Sequence, residues 1–420
     1  MNTRRNFLKL AALSPIVAGY PSASHGAAPF AGKFVVTIQA LGAWDVTCFC
    51  DPKENQRGEA EITQWSKEDE IQTTGNIKYA PFANNESFFK KHANKMLVIN
   101  GVDSLTNSHS IGETVNWSGR TALGYPTLTA MYSAAYAPNL PMSYVTFGGF
   151  NRTENLIRAT QLGWSVKNIG TLLKPNSDDN RSMMNDEIWS HIKVVHANDT
   201  RASITGNSVT AGNRSAREAY LSSLTSMDPL VDFADTLPAK NSEWEPRGQN
   251  GNLRQQAQFT IAAFKAGVSI TADLTQGGFD SHEDNDLEQA TNLADLTDGV
   301  DYLWEAAEAA GIADRLVVIL GSDFSRTPYY NSAQGKDHHA VGSFIVMEKG
   351  VSFTNRVING SDEGQNAVKI DTQTFQPSGF GTKLVTSHVH SALRDYLGLV
   401  GSDNDLVFPL KNEDKFNFFG

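Results

Sequence analysis

Three stretches of the chain are almost continuously apolar and end at turn-forming or polar residues. They are residues 33–39 (KFVVTIQ), 95–102 (KMLVINGV) and 315–320 (RLVVIL). Because strands covered on both faces carry apolar side chains at nearly every position, these stretches predict buried strands of a parallel sheet. Two further apolar runs, residues 268–274 and 343–347, extend the same pattern.

Helical patterns lie between these strands, at residues 110–120, 286–310 and 387–397. The longest of them has a leucine and valine stripe formed by Leu287, Leu293, Leu296, Val300 and Leu303. Alternating strands and helices are typical of doubly wound α/β domains. The pattern therefore predicts an α/β fold with a central, mostly parallel sheet flanked by helices.

Residues 151–250 differ from the rest of the chain in composition: they contain many Asn, Ser, Thr and Arg residues, and their hydrophobic periodicity is weaker. They predict an insertion or cap of short helices and loops within one large domain that spans residues 28–420. A disordered linker is an alternative only for residues 238–252.

The first residues of the chain have the three parts of an export signal. A twin-arginine segment (residues 3–9, TRRNFLK) leads into an apolar run at residues 8–18, and small residues follow at 22–28. This predicts a twin-arginine signal peptide over residues 1–27, removed within residues 24–28, although a basic disordered N-terminus is an alternative. The apolar run is too short for a stable membrane span, which needs about 20 residues.

The signal predicts a periplasmic or cell-envelope protein that folds before it crosses the membrane, with the twin-arginine translocation machinery as a partner. The net charge is −11, from 35 basic and 46 acidic residues. Because the export signal contains the only tight basic cluster, nucleic acid and anionic membranes are poor candidates for partners. Cys48 and Cys50 are the only cysteines and lie too close for a long-range disulfide, which favours an inert or strained pair over a disulfide framework or a Cys-x-Cys metal site.

Residues with metal-binding side chains follow the predicted strands. In an open parallel sheet, ligands bind beyond the carboxyl ends of the strands. Five strand exits carry such residues: Asp45; then Ser108, His109 and Ser110; then Asp280 and His282; then Asp323; and finally Asp337, His338 and His339 before residues 343–347. Such donors suit zinc, manganese, iron or magnesium. Imidazoles favour zinc, whereas a carboxylate-rich site favours magnesium, manganese or calcium.

Each of these segments also has a local explanation. Residues 280–282 and 337–339 are compatible with capped turns that leave the histidines at the surface. Asp323 is a possible helix cap or a salt-bridge partner of Arg326, and Ser108 is a possible cap of the following helix. Their joint placement at strand exits, rather than any single residue, favours a common site.

Two segments, GGFDSHEDN (277–285) and LVVILGSDFSRTPYYNSAQGKDHH (316–339), resemble the motifs of the exported domain-of-unknown-function family 1501. That family has an aromatic-Asp-Thr-His segment, a strand ending in Ser-Glu-Phe-Gly-Arg-Thr, and Gly-Thr-Asp-His-Gly. The resemblance extends to residues 42–45 and 108–109 and covers nearly the whole chain after the signal. The family is similar to the alkaline phosphatase and sulfatase superfamily, whose members hold one or two divalent metals, so the resemblance implies an alkaline-phosphatase-like sandwich.

The resemblance also implies roles for single residues. The implied metal ligands are Asp45, Asp280 with His282, Asp323, and the late pair Asp337 and His338. The implied catalytic residues are Ser108, His109 and Ser110. They precede Ser118-Gly119-Arg120, as the sulfatase nucleophile precedes a Thr-Gly-Arg segment. Arg326 is the candidate to bind the anion, with Arg120 as the alternative.

The sequence departs from these patterns at three positions. Phe324 follows Asp323, where phosphatases have a histidine; Asp323 itself replaces the longer glutamate of the family; and His339 replaces a glycine. A weak or absent second metal site is therefore expected.

Together these features predict an exported metal-dependent hydrolase that acts on small anionic phosphate or sulfate esters, with zinc as the favoured metal. The alternatives are a non-catalytic envelope binding or assembly protein with the same fold, and a structural calcium site.

Overall fold

A computed structural model gives the fold of the chain. It describes residues 30–148, 150–163, 186–205, 227–238, 243–412 and 414–420, with a few positions between 210 and 221. The chain separates into two units, residues 1–31 and residues 32–420. The predicted signal peptide and its cleavage site lie outside the described residues. In the part that is described, no helix is long and apolar enough to cross a membrane.

The strands form one central sheet and three two-stranded ribbons. Those of the central sheet are β1 (Phe34–Ala40), β4 (Met96–Asp103), β5 (Tyr144–Thr146), β6 (Ala159–Gln161), β7 (Thr271–Gln276), β8 (Leu316–Ser322), β11 (Val341–Glu348) and β12 (Arg356–Asn359). Two-stranded ribbons are formed by β2 (Gln72–Thr74) with β3 (Ile77–Tyr79), β9 (Ser325–Arg326) with β10 (His338–His339), and β13 (Lys369–Ile370) with β14 (Thr382–Lys383).

The described helices are α1 (Asn85–His92), α2 (His109–Ser118), α3 (Leu128–Tyr136), α4 (Asp186–Ile204), α5 (Met227–Thr236), α6 (Leu253–Lys265), α7 (Asn285–Ala310), α8 (Thr386–Tyr396) and α9 (Asp403–Val407). The predicted helices at 110–120, 286–310 and 387–397 are confirmed to within one or two residues. The predicted α7 stripe is buried except for Leu287, which is 70% exposed because it lies in the first turn of the helix.

The central sheet has the order β12-β4-β11-β8-β1-β7-β5-β6. Neighbouring strands run parallel except for the two pairs that contain β11, which is antiparallel to both β4 and β8. β1 and β8 are buried at every residue, as expected for strands with packing on both faces. The predicted α/β fold, with a central and mostly parallel sheet flanked by helices, is confirmed.

The direction of β11 brings the loop that precedes it to the same edge of the sheet as the loops that follow the other strands. Since β1, β4, β7 and β8 run in one direction, the loops that follow them leave from the same edge of the sheet. β11 runs the other way, so it enters the sheet at that edge. The loop before β11 therefore joins the loops after the other four strands.

Part of the predicted insertion at 151–250 belongs to the sheet, because β6 pairs with β5. α4 and α5 also lie within it, and much of the remainder falls outside the described residues. In the described part of the possible linker, residues 243–252, Trp244 is 7% exposed and Glu245 Oε2 lies 2.7 Å from Arg254 Nη2, whereas residues 246–250 are exposed.

Cys48 and Cys50 lie in the loop after β1 as buried free thiols. Burial raises the pKa of both thiols, which keeps them protonated and unreactive.

Candidate metal centre

Three imidazoles and one carboxylate converge at the edge of the sheet where the loops meet. The Nε2 atom of His338 lies 3.1 Å from Nε2 of His109 and 3.0 Å from Nε2 of His282. Asp280 Oδ1 lies 3.3 Å from the Nε2 atoms of His109 and His282, and 3.6 Å from that of His338. We call these four residues the His–Asp cluster.

The other ring nitrogen of each imidazole has its own hydrogen-bond partner. The three Nδ1 contacts are His109 with Asp323 Oδ2, His282 with Asp337 Oδ1 at 3.0 Å, and His338 with the Asn107 carbonyl at 2.8 Å. Because a carbonyl oxygen only accepts, the proton of His338 is on Nδ1 and its Nε2 presents a lone pair to the cluster. Histidines that bind metals are oriented in this way by carboxylates and carbonyls.

The geometry fits a small divalent cation. The His338 Nε2 lone pair and the Asp280 carboxylate oxygen, 3.6 Å apart, repel unless a positive charge lies between them. A zinc ion with ligands at about 2.0–2.1 Å sets neighbouring ligand atoms about 3.3 Å apart. The separations within the group formed by His109, Asp280 and His338 are 3.1, 3.3 and 3.6 Å, close to that value. A donor set of three imidazoles and one carboxylate favours zinc over magnesium or calcium.

Arg326 lies beneath Asp280 and has no exposed surface. Its guanidinium donates to Asp280 Oδ1 at 2.6 Å, and its other bonds go to the carbonyls of Gly42, Ala43 and Lys336. Burial raises the pKa of Asp280, but the Arg326 pair outweighs it and lowers the pKa below its ordinary value. Arg326 therefore orients a cluster residue. It does not take the place predicted for an anion-binding arginine, because its donors are used inside the protein.

Asp323 is fully buried and contacts the His–Asp cluster through His109. Its Oδ1 accepts hydrogen bonds from the amides of Ala43 at 2.9 Å and Gly42 at 3.2 Å, where two successive residues have positive φ. Successive amides of this kind form an anion-binding nest. Gln39 and Ser322 donate to the same oxygen, and Oδ2 contacts His109. That contact raises the pKa of His109.

Asp45, predicted as a metal ligand, lies apart from the converging atoms. It forms a buried ion pair with Lys336, whose Nζ lies 2.7 Å from Asp45 Oδ2, and both side chains have no exposed surface. Thr47 and Asn285 complete its hydrogen bonds. Burial raises the pKa of Asp45, whereas Lys336 lowers it and prevails. The charge of Asp45 is thus balanced by an ammonium group within the fold.

Packing holds the imidazoles in place. Phe324 is 2% exposed, and its ring centroid lies 4.8 Å from those of His109 and His338. Two glycines allow close backbone approach: a Cβ at Gly112 would lie 2.5 Å from the Asp323 carbonyl oxygen, and one at Gly335 would lie 1.8 Å from that of His282. Any larger residue at either position would move a cluster residue or its partner.

Ser108 and Ser110 flank His109 on the first turn of α2 and are exposed. Their hydroxyl oxygens lie 3.4 Å apart, and Ser108 occupies the N-cap position without a side-chain capping bond. Asp337 lies beside the cluster as the partner of His282. His339 is outside the cluster, and its Nε2 lies 3.0 Å from the Gln365 carbonyl oxygen.

The sequence did not indicate the role of Lys336, because a lysine between Gly335 and Asp337 is typical of an exposed loop. His109 was predicted as a catalytic residue beside the serines, and the structure places its Nε2 in the His–Asp cluster. The ion pair between Asp45 and Lys336 could not be predicted from residue spacing, because the two residues are 291 positions apart.

Comparison with known proteins gives one family and several structures. The model of the family described as "Protein of unknown function (DUF1501)" matches residues 33–351. No curated protein sequence matches the chain.

Among solved structures, Ps i-CgsB is similar over 92% of this chain and 75% of its own, at 9% identity and a TM-score of 0.43. The PsFucS1 sulfatase from Pseudoalteromonas sp. is similar over 92% of this chain and 73% of its own, at 9% identity and a TM-score of 0.40. The phosphonate monoester hydrolase of Agrobacterium radiobacter is similar over 91% and 78%, at 12% identity and a TM-score of 0.37.

Proposed function

The chain belongs to the DUF1501 family of proteins of unknown function, as its motifs predict, and we propose that it is a metal-dependent hydrolase-like protein. The observation that carries the proposal is that the Nε2 atoms of His109 and His282 each lie 3.0–3.3 Å from both His338 Nε2 and Asp280 Oδ1. His109, Asp280 and His338 form a group whose ligand atoms all lie within 4.8 Å of one another. Each imidazole is turned to this point by a partner at its Nδ1 atom. His338 Nε2 presents a lone pair to this point, as a metal ligand must.

His109, His282, His338 and Asp280 would hold the cation. A divalent cation supplies Lewis-acid chemistry there, since it polarises an oxygen of an ester and favours attack by an oxygen nucleophile. Asp323 and Asp337 fix the imidazole rings, and Arg326 fixes the carboxylate. Ser108 and Ser110 remain the proposed nucleophile or anion-binding hydroxyls, since the N-terminal end of α2 favours negative charge beside them.

We favour one cation over two. The carboxylate of Asp45 is neutralised by Lys336, and that of Asp323 is enclosed by four donors and His109. Phe324 offers no donor atom to a metal. Neither acid has an oxygen free to complete a second site.

The proposed substrates are small phosphate or sulfate esters, and the proposed location is the periplasm or cell envelope, reached by the twin-arginine pathway. A non-catalytic binding or assembly protein of the envelope is the alternative. It gains support from Arg326, because the arginine expected to bind the anion is buried beneath Asp280.

Metal analysis of the purified full-length protein tests the cluster. We expect close to one equivalent of zinc, lost in a His338→Gln variant. His339→Gln is the matched control, because the neighbouring imidazole lies outside the cluster and its loss leaves all four donors in place. Absence of stoichiometric metal, or equal retention in both variants, would refute the site.

Hydrolysis of aryl phosphate and aryl sulfate monoesters tests the activity. We expect metal-dependent turnover that falls by at least about a hundredfold in the Ser108→Ala, Ser110→Ala double variant, as for other positioned nucleophiles. Stoichiometric metal without turnover of either ester would favour the binding protein instead.

A further inference from the structure

A cavity of about 200 Å³ lies at the C-terminal end of α2. The His–Asp cluster lies at the other end of this helix, where His109 begins it. The cavity is bounded by the C-terminal end of α2, the N-terminal turn of α8 and the loop after β4. Two cationic residues line it, Arg120 and Lys411.

Within the described residues, neither cation has a carboxylate partner. Arg120 lies over the Tyr125 ring, 4.9 Å from its centroid, and Lys411 is exposed. Across the residues that the structure describes, no carboxylate forms a salt bridge with either side chain. Unpaired cations on one cavity wall raise the local concentration of anions.

The helix wall adds a polar group without a partner. Thr386 is only 3% exposed and lines the cavity, yet among the described residues its hydroxyl makes no hydrogen bond. It is the first residue of the 11-residue helix α8, where the helix dipole favours negative charge. Asn412 holds the next residue, because Ser387 Oγ donates to Asn412 Oδ1 at 2.7 Å. The wall is therefore fixed in place before any ligand arrives.

We propose that this cavity binds a phosphate group that carries a proton. Arg120, Lys411 and the Thr386 hydroxyl supply donors to its oxygens. Asp103 also lines the cavity, and one of its carboxylate oxygens accepts the Leu105 amide at 2.7 Å. Its other oxygen can accept a hydrogen bond from the P–OH group of hydrogen phosphate, whereas sulfate has no such proton and is repelled.

The cavity is distinct from the His–Asp cluster. His109 begins α2 and Gly119 follows its end, so ten residues separate them. At a rise of 1.5 Å per residue this is about 15 Å. The proposal therefore does not depend on the proposed function, and Arg120 serves this cavity rather than the anion beside the metal.

Calorimetric titration of the full-length protein tests the proposal, with inorganic phosphate, glucose 6-phosphate and inorganic sulfate as probes. We expect saturable phosphate binding that weakens about tenfold in Lys411→Gln and in Arg120→Gln, the loss typical of one charge-assisted contact. Lys265→Gln removes an exposed lysine elsewhere and serves as the control. His282→Ala changes the cluster and is expected to leave this binding intact.

Asp103→Asn tests the selectivity, because an amide donates to sulfate as readily as it does to phosphate. We expect phosphate to bind at least about tenfold more tightly than sulfate in the unchanged protein and the difference to vanish in Asp103→Asn. At about pH 5.5, where a phosphate monoester still carries a proton, binding of glucose 6-phosphate as tight as that of phosphate assigns the site to a phosphate carried on a larger molecule, and weaker binding assigns it to the free ion. Sulfate binding as tight as phosphate binding, or no loss in the Arg120 and Lys411 variants, would overturn the proposal.

Discussion

Lys336 has no exposed surface, and its ammonium group is the partner of a carboxylate that water cannot reach. It donates to Asp45 at 2.7 Å and to the Thr47 hydroxyl at 3.0 Å, and it lies over the Tyr330 ring. The backbone of Lys336 also bonds to Ser281, so this one residue joins the loop after β1 to the segment that carries Asp280 and His282. Loss of the ammonium would leave a buried charge without compensation.

Lys336→Met is therefore expected to lower the free energy of unfolding by about 3–5 kcal/mol, measured by urea denaturation. Adding Asp45→Asn should restore part of this loss, because the unpaired charge is removed. Lys349→Met is the control, since that lysine forms only exposed ion pairs. A double variant that is less stable than Lys336→Met would contradict the explanation.

Two buried histidines outside the cluster make stability depend on pH. Burial lowers the pKa of His92 from 6.5 to about 4, although Asp301 opposes this, and burial lowers that of His390 to about 4. Each therefore binds fewer protons in the folded than in the unfolded chain between about pH 4 and 6.5. Stability contributed by the neutral rings is present above pH 6.5 and is lost as the pH falls towards 4.

We expect this loss to reach roughly 3 kcal/mol for each histidine, and urea midpoints between pH 7 and 4.5 measure it. His92→Gln and His390→Gln should each flatten the decline, because glutamine gains no charge in acid. A decline of unchanged steepness in both variants would rule out these histidines as its source.

At the scale of elements, α2 connects the cluster to the sheet. It begins at His109 and approaches β8 so closely that a Cβ at Gly112 would lie 2.8 Å from Asp323 Cβ. This approach brings His109 to its carboxylate partner. The small size of Gly112, one turn after His109, therefore allows α2 to hold His109 in position.

Gly112→Ala is expected to lower the free energy of unfolding by about 1–3 kcal/mol, as overpacking does, and to weaken metal retention by displacing His109. Thermal unfolding and dialysis against a chelator measure the two effects. Gly379→Ala is the control, because no atom lies within 4 Å of its added Cβ. Unchanged metal retention in Gly112→Ala would show that the helix position does not govern the cluster.

The elements were predictable to the extent that their apolar patterns are local. Residues 33–39 and 315–320 predict β1 and β8, and the shared edge of parallel strands predicts that the residues after β7 and β8 meet. His338 joins them because β11 runs antiparallel, which its apolar pattern does not show. The partner of Asp45 was not predictable, because an ammonium and a metal ion satisfy a carboxylate equally well and the sequence contains no mark of the choice. The roles of Asp323 and Asp337 depend on which oxygen faces the cluster, and only coordinates show that.

At the scale of the whole molecule, export remains a prediction from residues 1–28, which lie outside the described residues. Replacing Arg4 and Arg5 by lysines is expected to abolish transfer to the periplasm, because the translocation machinery recognises the arginine pair and not its charge. Cell fractionation with an antibody against the protein measures the outcome. Lys9→Gln is the control, and periplasmic protein from the double-lysine variant would refute the assignment.

The single reversed strand of the sheet also has a consequence for the order of assembly. β11 lies between β4 and β8, and it delivers His338 only when both neighbours are in place. The residues of the His–Asp cluster lie between positions 109 and 338. A nascent chain that does not yet contain β11 therefore has an incomplete cluster. If the cluster holds a metal as proposed, loading would follow synthesis of most of the polypeptide, and a bound ion would report that the sheet has closed.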